Sequence, residues 1–122
     1  MEKKIKILCV DDEEINLQVF QITFSKNYDV LTAFSGTEGL EIILKIPDIR
    51  FVVSDMKMPT MDGLEFIRAV KKINETLPCM ILSGYQQNQE IRDAIDEGIL
   101  VDYMMKPYNR AGIEKLIGEN VR

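Results

Sequence analysis

Five times along the chain, a short, mostly apolar run, rich in β-branched residues in the first case, gives way to a longer stretch with helical spacing. The runs are Ile5–Val10, Val30–Ala33, Phe51–Ser54, Cys79–Leu82 and Leu100–Met105. Runs this short, apolar at nearly every position, suit strands buried on both faces. Strict alternation of strand and helix with short connections predicts an α/β fold, a parallel sheet covered by helices on both sides.

The helical stretches have their own punctuation. Ile15, Val19 and Ile22, with Phe20 and Phe24 alongside, predict an amphipathic first helix to about Lys26. Ser35 to Glu38 has the capping-box pattern, Leu40, Ile43 and Leu44 supply the apolar stripe of the second helix, and Pro47 ends it. Asp62 and Glu65 frame the third helix, with Leu64, Ile67, Val70 and Ile73 as its inward face. Ile91, Ala94 and Ile95 mark a short fourth helix closed by Gly98. Asn109 caps the fifth, with Ile113, Leu116, Ile117 and Val121 facing inward.

The 122 residues predict one domain over 1–122, with no linker or internal repeat. No apolar run reaches the roughly 20 residues of a membrane span, and no secretory segment precedes the first strand, so a cytoplasmic location and no membrane partner are expected. A net charge of −5 without a basic cluster argues against nucleic acid as a partner. The chain has no histidine, which removes histidine metal ligands, Ser-His and Cys-His pairs and histidine phosphocarriers. Cys9 and Cys79 sit singly inside apolar runs and read as core thiols.

Polar groups collect at strand ends. Asp11 and Asp12 follow the first strand, Asp55 the third, Ser83 the fourth and Lys106 the fifth; the second ends at Ala33-Phe34 and offers nothing. Open parallel sheets bind ligands beyond the carboxyl ends of their strands, where the strand order reverses. A flavodoxin-like, doubly wound (βα)5 sheet of order 2-1-3-4-5 makes the four productive strands contiguous and leaves the barren one at an edge. Singly, each group has an ordinary explanation as a turn, a cap or a surface charge. Jointly they make a pocket of three carboxylates, a hydroxyl and an ammonium. Crowded carboxylates call for a cation, and hard oxygen ligands suit Mg²⁺ or Mn²⁺. Such an ion, with Lys106 and Ser83, clamps an anion that carries developing charge, and a carboxylate not tied up as a ligand can serve as nucleophile to give an acyl phosphate.

Asp11-Asp12, Asp55 with Met58-Pro59 and Asp62-Gly63, Ser83-Gly84, and Tyr103 through Lys106-Pro107 resemble, over the whole chain, the receiver domain of two-component response regulators. The resemblance implies a phosphorylation-dependent signalling switch rather than an enzyme. Asp55 accepts a phosphoryl group from a sensor histidine kinase or a histidine phosphotransfer protein. Asp12 ligates Mg²⁺ directly, Asp11 through water or as an outer ligand, and Lys57 through its backbone carbonyl. Lys106 pairs with Asp55 and later with the phosphoryl group. Ser83 and Tyr103 form a switch pair that relays the change to the face of the fourth helix, fifth strand and fifth helix, where a downstream effector, an output domain or a second copy in a homodimer reads it. The Lys106-Pro107 bond is expected to be cis. The segment from Gly98 to Tyr103 is one residue longer than the commonest family spacing, and Lys57 and Tyr85 occupy positions where members vary.

Three other readings compete. A phosphatase of the haloacid dehalogenase type needs a second acid two residues after the nucleophile, where this chain has Lys57. A flavodoxin-type cofactor module needs a neutral first loop, not Asp11-Asp12-Glu13-Glu14. A receiver used only for docking, without phosphorylation, has no need of these side chains.

Overall fold

A computed structural model describes residues 3–121; Met1, Glu2 and Arg122 lie outside it. Strands β1 (Ile5–Val10), β2 (Tyr28–Ala33), β3 (Ile49–Asp55), β4 (Cys79–Ser83) and β5 (Asp102–Met105) alternate with helices α1 (Glu14–Phe24), α2 (Gly36–Lys45), α3 (Gly63–Ile73), α4 (Gln89–Asp96) and α5 (Arg110–Asn120). All neighbouring strands run parallel in the order β2-β1-β3-β4-β5. The order reverses between β1 and β3, which sets Val10 beside Ser54 immediately before the first two acids and Asp55.

Two cores flank the sheet. Leu8, Val10, Val52 and Ile81 point to the side where Leu64, Phe66, Ile67 and Val70 of α3 and Ile91 and Ala94 of α4 pack. Ile7, Cys9, Phe51, Val53 and Met80 point to the other, against Leu17, Phe20 and Phe24 of α1 and Ile113 and Ile117 of α5. Alternate residues of one strand thus feed opposite cores, which is why the runs are apolar throughout.

The helix starts follow their capping chemistry. Asp62 accepts from the Glu65 amide at 2.8 Å while Glu65 accepts from the Asp62 amide at 3.0 Å, a complete capping box. Ser35 caps α2 by accepting from Glu38 N–H, but the return bond runs from Phe34 N–H to Glu38 Oε1. Asn109 caps α5 through Gly112 N–H. Gly98, at φ +81°, closes α4 in the left-handed region as the expected C-terminal signal.

Three faces differ from expectation. Ile15, Val19 and Ile22 of α1 are 71%, 49% and 79% exposed. The buried side is Leu17, Phe20 and Phe24, the stripe that carries both phenylalanines. The helix has two apolar stripes, and the one with the aromatic rings removes more apolar surface from water. Leu44 and Ile73 are exposed as well. Leu44 is one position beyond the buried Ile43, about a quarter turn around the helix, and Ile73 ends α3. The fifth strand is also shorter than its apolar run, beginning at Asp102; Leu100 is buried in the loop before it.

Candidate functional site

The carboxyl ends of four strands meet. Lys106 Nζ lies 3.0 Å from Asp55 Oδ1 and 3.4 Å from Asp11 Oδ2. Ligand oxygens of Asp11, Asp12 and Asp55 all fall within 4.8 Å of one another. Asp11 is buried and held on both oxygens, Oδ1 by Glu13 N–H at 2.9 Å and Oδ2 by the Asn16 amide at 3.2 Å. Asp12 faces solvent and Asp55 is partly buried.

Electrostatics pull in opposite directions here. Burial pushes the Asp55 carboxyl above its usual range; the hydrogen bond from Lys106 opposes this, and the charges of Asp11 and Asp12 add to it. Burial works to lower the Lys106 ammonium, but its bond to Asp55 and the charge of Asp11 outweigh it, so that group lies above its ordinary value. One lysine therefore faces an excess of negative charge. Behind the site, burial pushes the Cys9 thiol up, and it pushes Cys79 up to about 12, so neither offers a thiolate. An all-oxygen donor set with open sides for water fits a hard dication such as Mg²⁺ or Mn²⁺.

The loop after Asp55 is held tightly. Met56 N–H donates to Leu82 C=O at 2.9 Å, and Gly63 N–H donates to Met56 C=O at 2.7 Å. The approach is so close that a Cβ on Gly63 would lie 2.2 Å from the Asp55 carbonyl oxygen. Between them Thr60, at φ 71°, centres a turn in which Met61 N–H donates to Pro59 C=O, an unfavourable conformation for a β-branched residue. The Lys106-Pro107 bond is cis, as expected.

Ser83 is buried at the end of β4, and its Oγ accepts from Tyr85 N–H at 3.1 Å. Tyr103 OH donates to the Tyr85 carbonyl. Ser83 and Tyr103 are thus joined through the backbone of one intervening residue, Tyr85. The Lys57 ammonium lies 4.3 Å from the centre of the Tyr85 ring. The sequence points to Lys57 through its backbone carbonyl alone; the side chains of Lys57 and Tyr85 are legible only as variable neighbours of the site, and Asn16 is not legible as part of it. Its only signal is an amide side chain in the first turn of α1.

The model of the response regulator receiver domain matches residues 7–118. The chain belongs to the response regulator receiver family. This receiver domain is 32% identical over 106 residues to sporulation initiation phosphotransferase F of Bacillus subtilis, covering 85% of this chain and 83% of that protein. It is 27% identical over 107 residues to the hydrogenase transcriptional regulatory protein HoxA of Cupriavidus necator, covering 88% of this chain but 22% of that protein. The receiver domain therefore spans only about a fifth of that longer relative. Among solved structures it resembles a response regulator receiver domain protein from Clostridium thermocellum, with a TM-score of 0.85, 32% identity and coverage of 95% and 93% of the two chains. Among the described residues, no helix is long and apolar enough to cross a membrane.

Proposed function

We propose that this receiver domain is a phosphorylation-dependent switch whose acceptor is Asp55. The observation that carries the reading is Lys106 at 3.0 Å from Asp55 Oδ1, inside a three-carboxylate cluster where the strand order reverses. An Asp55 oxygen attacks the phosphorus of a phosphohistidine on a kinase or phosphotransfer protein. The N–P bond breaks, the imidazole leaves with its electron pair and takes up a proton, and an acyl phosphate remains on Asp55. The donor histidine lies outside this domain, whose 122 residues contain none.

Asp12 and Asp55, the Lys57 carbonyl and, through water or as an outer ligand, Asp11 would hold Mg²⁺. Bound there, it would supply neutralising charge for the oxygens of the transferring group. Lys106 moves its bond from Asp55 to the new phosphoryl oxygens, and the Ser83 hydroxyl donates to another. Asp11 keeps its Glu13 and Asn16 donors when Lys106 turns away. A protein donor is supported by the unburied stripe Ile15, Val19 and Ile22 on α1, the helix that also carries Asn16 against Asp11. On the output side, Ser83 and Tyr103 pass the change to the α4–β5–α5 face, where an effector, an output domain or a second copy binds. This domain works in the cytoplasm and itself contacts neither nucleic acid nor a membrane.

The test is incubation with Mg²⁺ and acetyl phosphate, followed by intact mass spectrometry. One phosphoryl group is expected on the wild type and none on Asp55→Asn. Equal labelling of both proteins refutes the assignment.

A further inference from the structure

Lys57 is a cation beside an anionic cluster, yet it does not pair with it. It sits two positions after Asp55 and is exposed. Among the described residues, the only lysine bonded to the cluster is Lys106, which serves both Asp11 and Asp55. Asp12 carries no ion pair among the described residues, so the three clustered carboxylates face a single paired ammonium. An ammonium on a flexible four-carbon stem would be drawn to that excess. The Lys57 ammonium instead lies 4.3 Å from the centre of the Tyr85 ring. Both residues line a cleft of about 710 Å³ that also takes in Ser83 and Asp62.

Tyr85 is tied at both backbone polar groups, the N–H to Ser83 Oγ and the C=O to Tyr103 OH. These bonds fix the point from which its side chain leaves the main chain, beside the cleft that Lys57 also lines. We infer that Tyr85 parks the Lys57 ammonium on its ring face and so keeps the carboxylate cluster free for a dication. Tyr85 is a positioning residue for metal selection, and Lys57 is the built-in competitor that it restrains. The inference rests on the proposed Mg²⁺ site.

Attraction of an ammonium to an aromatic face at an exposed site biases a position about two- to fivefold. Removing the ring releases Lys57 to compete with Mg²⁺ by about that factor. The experiment is a Mg²⁺ titration of unphosphorylated protein, read from the rise in melting temperature, for wild type, Tyr85→Leu, Tyr85→Phe, Lys57→Met and the Tyr85→Leu/Lys57→Met double variant. Tyr85→Leu is expected to weaken Mg²⁺ two- to fivefold. Tyr85→Phe keeps the ring and stays at wild type. Lys57→Met binds at least as tightly as wild type, and the double variant matches Lys57→Met. The loss in Tyr85→Leu shrinks as ionic strength rises. A merely structural role for Tyr85 would lower metal-free stability and weaken binding whether or not Lys57 is present. Wild-type affinity in Tyr85→Leu, or equal losses with Lys57 and with Met at position 57, overturns the inference and leaves the metal site standing. No Mg²⁺ response in the wild type overturns both.

Discussion

Gly63→Ala tests how rigidly the chain presents Asp55. The new methyl would sit 2.2 Å from the Asp55 carbonyl oxygen and 3.0 Å from Met56 Cα. Real contacts of this kind stay above 3.0 Å, so the chain must yield by nearly an ångström. Neither side yields easily. Asp55 C=O accepts from Ser54 Oγ, and Met56 N–H is bonded to Leu82 C=O in the neighbouring strand. Helix α3 cannot retreat without lifting Leu64, Phe66, Ile67 and Val70 out of the core. Overpacking of this sort costs about 1–3 kcal/mol, and alanine's better helix propensity returns at most ~1 kcal/mol. The net loss should lower the melting temperature by roughly 3–5 °C per kcal/mol for a domain of this size. Gly118→Ala is the control. It lies in α5, where a Cβ meets nothing within 4 Å, so it should stabilise by up to ~1 kcal/mol. Urea unfolding followed by far-UV circular dichroism measures both. Because the clash moves the Asp55 carbonyl, Gly63→Ala should also label more slowly with acetyl phosphate while Gly118→Ala labels normally. If Gly63→Ala is as stable as wild type and labels at the same rate, the packing argument for a rigid acceptor is refuted.

Further outcomes follow from the charges and the surfaces. In EDTA, Asp55→Asn should melt higher than wild type, and Asp12→Asn should too by a smaller margin, because Asp12 is exposed and contributes least to raising Asp55. The folded Asp55 carboxyl lies above its ordinary 3.8, so the folded state holds its proton longer. Wild-type stability should accordingly fall as pH rises from 3.8 through the folded value, and Asp55→Asn should lose that fall in a pH series of melting curves. Adding Mg²⁺ at 100 times its dissociation constant should stabilise the wild type by about 2.7 kcal/mol, and chelation should reverse it. On α1, Ile22→Lys should change stability by less than ~0.5 kcal/mol, whereas Phe20→Ala should cost about 3–5 kcal/mol. The same Ile22→Lys should slow transfer from a protein phosphodonor and leave labelling by acetyl phosphate unchanged.

The contrast between Ile22 and Phe20 shows where reading from sequence ran out. Strand order and strand ends were legible because a strand buried on both faces has little choice of residue, and because acids, a serine and a lysine closing four of five such runs share one edge of the sheet. Rotation of a helix about its axis is a weaker signal when two apolar stripes compete, as on α1. There the aromatic stripe went inward and Ile15, Val19 and Ile22 stayed out. Leu44 and Ile73 kept the right spacing yet fell where no core lay opposite. Tyr85 was hidden for another reason. Its partners Ser83, Tyr103 and Lys57 come from the end of β4, from within β5 and from the loop after β3, and no local pattern records that convergence. The capping box of Asp62 and Glu65 was local and therefore readable, whereas at Ser35 only the forward half of the expected box formed.

The most direct test of the central claim is chemical mapping of the phosphoryl group. Protein incubated with Mg²⁺ and acetyl phosphate is reduced with borohydride, which converts an aspartyl phosphate to homoserine, and then digested and sequenced by mass spectrometry. The account predicts homoserine at position 55 and aspartate retained at positions 11 and 12. Homoserine at either of those positions, or none at 55 in protein that carries a phosphoryl group, would contradict it.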